Sequence, residues 1–104
     1  MIKATFYKRS NIPCGFEISG HSGYAEEGTD IICASVSSVA YMAVNTITDV
    51  IGDKADISIS DGYFRFTTDS SRNETKVVLD GLKLHVNALA GDYCEYIICE
   101  EKDL

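Results

Sequence analysis

Positive charge is scarce in this chain: nine Lys and Arg stand against 16 Asp and Glu, for a formal charge of −7. Affinity for a phosphate backbone rests largely on Lys and Arg contacts. A nucleic acid is therefore a poor partner and a basic protein or peptide a better one, although an acidic surface also serves plain solubility. No apolar run approaches the roughly 20 residues that span a bilayer, so no membrane is expected. The start, Met1-Ile2-Lys3-Ala4, alternates as a strand does and presents no signal peptide, which places the chain in the cytoplasm. Among the four cysteines, Cys14, Cys33, Cys94 and Cys99, there is no Cys-x-x-Cys. Cys94 and Cys99 read as members of one strand, where an odd separation sends side chains to opposite faces, roughly 17 Å apart. They cannot chelate together, and neither metal nor cofactor is expected. Cys14, Cys94 and Cys99 read as buried or half-buried thiols in a reducing compartment. No repeat, linker or low-complexity segment divides the 104 residues, which read as one domain, small enough for a dimer contact to help it.

What is present is a globular composition, 45% hydrophobic and 10% aromatic. Residues 2–8 alternate, Ile2, Ala4 and Phe6 against Lys3, Thr5 and Tyr7, as a half-buried strand does. Asn11-Ile12-Pro13 breaks it, and Cys14, Phe16 and Ile18 continue in a second strand after a wide turn. From Asp30 the period changes: Ile32, Val36, Val39, Ala43, Ile47 and Val50 form the stripe of a helix ending near Gly52. Asp30, or Thr29 if the helix begins one residue earlier, is its N-cap. Residues 55–60 and 63–68 alternate around Asp61-Gly62, a type I′ hairpin signal that sets Ile57 and Ile59 against Phe64 and Phe66. A second helix of about 17 residues carries the stripe Leu79, Leu82, Val86 and Leu89 and closes at Gly91. The run 93–100 reads as a final strand. The order ββαββαβ predicts an α+β fold, with two helices covering a mixed or antiparallel sheet of about five strands.

Chemistry concentrates in one segment. His21 sits in a glycine-flanked turn, Gly20-His21-Ser22-Gly23-Tyr24-Ala25, twelve residues before Cys33 at the start of the helix. With Asp30 as cap, Cys33 is the third helical residue, close to first-turn amides and the positive end of the macrodipole. Such surroundings make a thiol nucleophilic near neutral pH, and the same amides offer to receive an oxyanion. Acyl transfer needs a thiolate, an imidazole to take and return the proton, and oxyanion donors; His21, Cys33 and the helix start supply all three. Ser37, one turn beyond Cys33, shares its face and could support sulfur or imidazole, or simply permit close packing. Glu26, Glu27 and Asp30 lie between the pair. Asp30 suits the cap better than an acidic third member, since a carboxylate beside the sulfur opposes thiolate formation. Glu26 and Glu27 read as solvated, which leaves a His/Cys dyad. His85 reads as a helix-face residue, and Tyr24 either walls a substrate groove or closes the turn on the core.

Together, G-H-S-G-Y-A followed by D-I-I-C-A-S-V-S resembles the signature of the ribosomal-processing cysteine protease family, Prp. The motif covers residues 20–37, and order and length are similar over residues 1–104. On this resemblance His21 and Cys33 are the catalytic pair and Asp30 and Ser37 the accompanying acid and serine. Gly20, Ser22, Gly23 and Tyr24 fall in the substrate-facing turn. Ser22 and Ser35 stand where alanines are frequent, a change in pocket polarity. The resemblance implies a homodimeric endopeptidase that removes the N-terminal extension of a basic substrate, the twenty-seventh protein of the large ribosomal subunit, cutting after a phenylalanine pair. It also implies that the loop between His21 and Cys33, spaced by Gly20, Gly23 and Gly28, is a lid ordered by substrate. Phe64, Tyr63 and Tyr24 are candidates to line the pocket for the aromatic side chains. The competing reading is a dimeric ribosome-associated binding module in which Cys33 is a buried structural thiol. A redox thiol protein is the third, without a resolving cysteine nearby in sequence.

Overall fold

The computed structural model describes residues 1–26 and 29–104. Its elements are β1 (Ile2–Arg9), β2 (Ile12–Ser19), α1 (Ile31–Asn45) running into a π-helical segment (Thr46–Ile51), β3 (Asp56–Ser60), β4 (Tyr63–Thr67), α2 (Asn73–Asp92) and β5 (Ile97–Asp103). The expected ββαββαβ order is what the chain adopts. The strands form one mixed sheet in the order β3-β4-β2-β1-β5, with β5 parallel to β1 and the other neighbours antiparallel.

Register decides which side chains share a face. Phe6, Phe16, Phe66 and Ile57 lie opposite one another across four strands, and Ala4, Ile18, Phe64 and Ile59 form the next row. Apart from Ile57 and Ile59, which stay exposed on the edge strand, these rows meet Ile32, Val36 and Ala40 of α1 and Leu79, Leu82 and Val86 of α2 in a single core, so both helices cover one face. The opposite face is polar, its central row running Glu100, Thr5, Glu17 and Arg65. Thr5 Oγ1 donates to Glu100 there and the Tyr63 hydroxyl to Glu17.

Several expectations are corrected. The first turn is tight rather than wide: Ser10 and Asn11 are both left-handed, φ 53° and 63°, the type I′ pattern. Cys14 is left as an extra residue, because Tyr7 faces Gly15 while Lys8 faces Pro13; this bulge lets Pro13 stay inside β2. In the second hairpin only Gly62 is left-handed, φ 67°, so that turn is not type I′. The α1 stripe bends at its end. Ala40 and Val44 are buried where Val39 is half-buried, and Val50 is 80% exposed. For Val50 the cause is the switch to i→i+5 bonding over Thr46–Ile51, in which the N–H of Gly52 donates to Ile47 O at 3.0 Å and turns Val50 outward. Helical backbone thus runs over Ile31–Ile51, 21 residues with mean hydropathy 1.5, long and apolar enough by composition to cross a bilayer. Its extent is the one the spacing predicts, from the Asp30 cap to just before Gly52, and its buried stripe lies on the sheet. Gly91 does not close α2, which continues to Asp92. Residues 93–96 form a turn rather than strand, with the Tyr96 N–H donating to Tyr93 O at 2.8 Å. Cys94 is therefore outside β5 and exposed, not buried.

Candidate active site

The site lies where the end of β2, the tip of the β3–β4 hairpin and the start of α1 converge. Gly20 leaves β2 with φ 90° and donates its N–H to Gly62 O at 2.8 Å. A Cβ on Gly20 would stand 2.3 Å from Met1 O, so only glycine lets the chain pass there. The turn sets the His21 ring over Gly62, whose own missing Cβ would come 2.8 Å from Nε2. The His21 side chain is 55% exposed, and its Nε2 lies 3.8 Å from Asp61 Oδ1. That separation is too long for a hydrogen bond but close enough for attraction once the imidazole is charged. The carboxylate facing the histidine therefore comes from the hairpin tip. Glu26 is exposed in the loop, and Glu27 lies outside the described residues. Sequence reasoning used Asp61 only as a turn signal; the pairing of Ser19 with Tyr63, which carries the tip to the end of β2, is what places it.

Asp30 caps α1 as expected. Its Oδ1 accepts the N–H of Ile32 and of Cys33, each at 3.0 Å. It is buried, and Ser22 Oγ donates to its Oδ2. The Ser22 bond, followed by the Cys33 amide, the Cys33 side chain and the Ile32 amide, holds the Asp30 carboxyl down at about 2 against the pull of burial. This capping corrects the expectation that the first-turn amides receive an oxyanion: those of Ile32 and Cys33 are already taken, and the Ala34 N–H donates to Asp30 O.

Cys33 is the third residue of α1 and half-buried. Its sulfur accepts the Ser22 N–H at 3.3 Å. His21 and Cys33 line the same two cavities, although among the described residues the hydrogen bond to the sulfur comes from Ser22 and not the imidazole. The larger, about 500 Å³, is an open groove walled by Gly23, Ala25, Asp30 and Ser37. The smaller, about 150 Å³, is bounded by Ile18, Val36, Tyr41, Ile59, Tyr63 and Phe64. Tyr41 and Phe64 meet edge to face there, with ring centroids 4.9 Å apart. Ser37 is exposed and lines both cavities beside Cys33, the shared face its spacing predicts.

Other candidates are redistributed. Tyr63 and Phe64 reach the small cavity, whereas Tyr24 turns away and meets Tyr96 edge-on at 5.3 Å. Ser22 is buried, so its hydroxyl is committed to Asp30 rather than to the groove. Ser35 Oγ donates to Ile31 O on the exposed side of α1. His85 is exposed on α2, as expected, beside Ile31, Val39 and Met42. Tyr41 and Ile59 were missed: helical spacing from Ser37 would have found the first and hairpin register the second. Burial raises the thiols of Cys14 and Cys99, which are structural. Among the described residues no three His, Cys, Asp or Glu side chains converge to hold a metal ion.

The sequence profile of the family described as cysteine protease Prp matches residues 1–98. The chain belongs to the Prp family. The ribosomal processing cysteine protease Prp of Bacillus subtilis (strain 168) is 32% identical over 102 residues, covering 89% of this chain and 90% of that relative. The fold matches the crystal structure of the S. aureus ribosomal processing protease Prp in complex with a covalently linked product peptide. That match has a TM-score of 0.91 and 25% identity, and covers 98% of this chain and 100% of that one. SMU.848 from Streptococcus mutans has the same fold at a TM-score of 0.86 and 25% identity, with 100% of this chain and 96% of that one covered. As a Prp family member the chain is a cysteine protease.

Proposed function

We propose that the chain is an endopeptidase that trims the N-terminal extension from the twenty-seventh protein of the large ribosomal subunit, with Cys33 as nucleophile and His21 as its base. The observation that carries this reading is the pair on the wall of one open groove, with a cavity partly walled by aromatic rings beside it. His21 takes the Cys33 thiol proton, and the thiolate adds to the carbonyl carbon of the scissile bond, forming the S–C bond. The imidazolium then gives its proton to the departing amine as the C–N bond breaks, leaving a thioester. Water, losing a proton to His21, hydrolyses the thioester and frees the sulfur. The small cavity, walled in part by Tyr41, Tyr63 and Phe64, takes a phenylalanine side chain next to the cut; its volume of about 150 Å³ is enough for one benzene ring. The negative charge of the chain favours approach of a basic ribosomal protein, and the cytoplasm is where such a protein is made. A homodimer is supported by Ile57 and Ile59, 43% and 50% exposed on the edge strand β3.

The test is a peptide spanning that extension, incubated with the purified protein and read by mass. Cys33→Ala and His21→Ala should each remain folded and lose about a thousandfold or more in kcat/KM, the scale of losing a nucleophile or its base. Retained cleavage by Cys33→Ala would overturn the proposal. The binding-module reading predicts no cleavage at all and Cys33 alkylation no faster than that of Cys14.

A further inference from the structure

Ser22 is only 4% exposed although both its neighbours, His21 and Gly23, are exposed. Three hydrogen bonds hold it, one to the nucleophile and one to the carboxylate that caps the nucleophile's helix. Its N–H donates to Cys33 Sγ at 3.3 Å, its hydroxyl oxygen accepts the Tyr24 N–H at 3.0 Å, and its hydroxyl donates to Asp30 Oδ2. The last direction is forced, because an amide N–H only donates and an ionised carboxylate only accepts, which leaves Asp30 as the destination of the hydroxyl proton. The other Asp30 oxygen is occupied by the amides of Ile32 and Cys33.

We infer that Ser22 is a positioning residue for the nucleophile: it keeps its own N–H on the Cys33 sulfur and, through its hydroxyl, draws on the Asp30 carboxylate charge that faces the thiol. The inference rests on Cys33 being the nucleophile. Before the S–C bond can form, the Cys33 proton must pass to His21, leaving a thiolate and an imidazolium. A carboxylate that accepts S–H, as Asp30 does from the Cys33 side chain, holds the thiol form and sets a negative charge against the thiolate. Ser22 counters both effects, drawing carboxylate charge into its hydroxyl bond while its amide donates to the sulfur. Asp30 is held ionised down to about 2, first by this same serine, so its charge is present throughout the working range. Among the described residues, the other titratable groups around the sulfur are His21 in the turn, Tyr41 on α1 and Tyr63 on β4, with Asp61 behind the imidazole.

The experiment uses the full chain carrying Cys94→Ser, which removes the exposed thiol. Iodoacetamide alkylation of Cys33 is followed by mass between about pH 5 and 9, spanning the imidazole range, alongside kcat and KM on the extension peptide. Ser22→Ala keeps the N–H and removes the hydroxyl. It should stay folded, alkylate about fivefold more slowly at neutral pH, the size of one hydrogen bond, and lose kcat by the same factor at unchanged KM. Ser22→Thr should restore both. In an Asp30→Asn background Ser22→Ala should change nothing, since the opposing charge is gone. Equal slowing in both backgrounds, or loss of folding in Ser22→Ala, would make the residue merely structural and overturn the inference. Selective wild-type alkylation that Ser22→Ala leaves unchanged overturns the inference alone. Wild-type Cys33 alkylating no faster than Cys14 overturns the nucleophile assignment and the inference with it.

Discussion

Gly62 and Gly52 separate two consequences of one backbone requirement. Both are left-handed, φ 67° and 89°, so alanine at either costs about 1–3 kcal/mol. A Cβ at Gly52 meets nothing within 4 Å, whereas at Gly62 it stands 2.8 Å from His21 Nε2 and must push the ring aside. If His21 is the base as proposed, Gly62→Ala should lower kcat/KM by about 10²-fold, the effect of displacing such a group by an ångström. Gly52→Ala should leave it unchanged, and urea titration with peptide kinetics on both variants checks the contrast. Asp30 governs the acid side of stability. Its carboxyl lies at about 2 in the folded chain, below the ordinary 3.8. The folded form is thus favoured above the ordinary value, and the advantage is lost as pH falls through the depressed one. Asp53, held down first by Ser70 and then by Thr75, and Glu100, held down first by Lys3, act in the same direction. Asp30→Asn should flatten the loss of stability between about pH 4 and 2 without abolishing it, as measured by urea midpoints across that range.

In α1 the apolar spacing predicts one stripe through Ile47 and Val50, yet the π-helical end splits them: Ile47 is fully buried and Val50 is 80% exposed. Ile47→Ala should cost about 2–5 kcal/mol. Val50→Ala should stay within about 0.5 kcal/mol of wild type, and chemical denaturation of the two variants decides it. A uniform helix, as the spacing implies, would give both a core penalty. The hairpins teach a related lesson. Asp61-Gly62 marks a turn by composition, but the turn with two left-handed residues is the unremarked Ser10-Asn11, and neighbouring Pro13 reads as a strand breaker only until a bulge accommodates it.

Charge acts over the entire molecule. At −7 the chain repels acidic partners and attracts basic ones over about one Debye length, near 10 Å at ordinary salt. Raising salt from about 50 to 500 mM should lower kcat/KM for the basic extension peptide several-fold and leave a neutral peptide of the same scissile sequence unaffected. Equal salt dependence for both peptides would remove steering from the account. The sheet order carries a second consequence: the parallel pairing of β5 with β1 ties the two ends of the chain together, and the Ile2 N–H bond to Tyr96 O at 2.8 Å extends that tie into the turn before β5.

Periodicity, capping and turn chemistry are local, and the sequence alone was enough for the ββαββαβ order, the Asp30 cap and the placement of His21 and Cys33 in one short segment. Groups that meet through register or burial needed the folded chain. Asp61 reaches His21 because β4 pairs with β2, Ile59 reaches the small cavity because β3 pairs with β4, and the first-turn amides of Ile32 and Cys33 are unavailable because Asp30 consumes them. Ser22 has the same origin: a polar residue in a glycine-flanked turn reads as exposed, and only packing against the helix start turns its hydroxyl inward to Asp30. Contacts between residues far apart in sequence, or buried against expectation, depend on pairing partners and on the exclusion of water, and neither is encoded in any one segment.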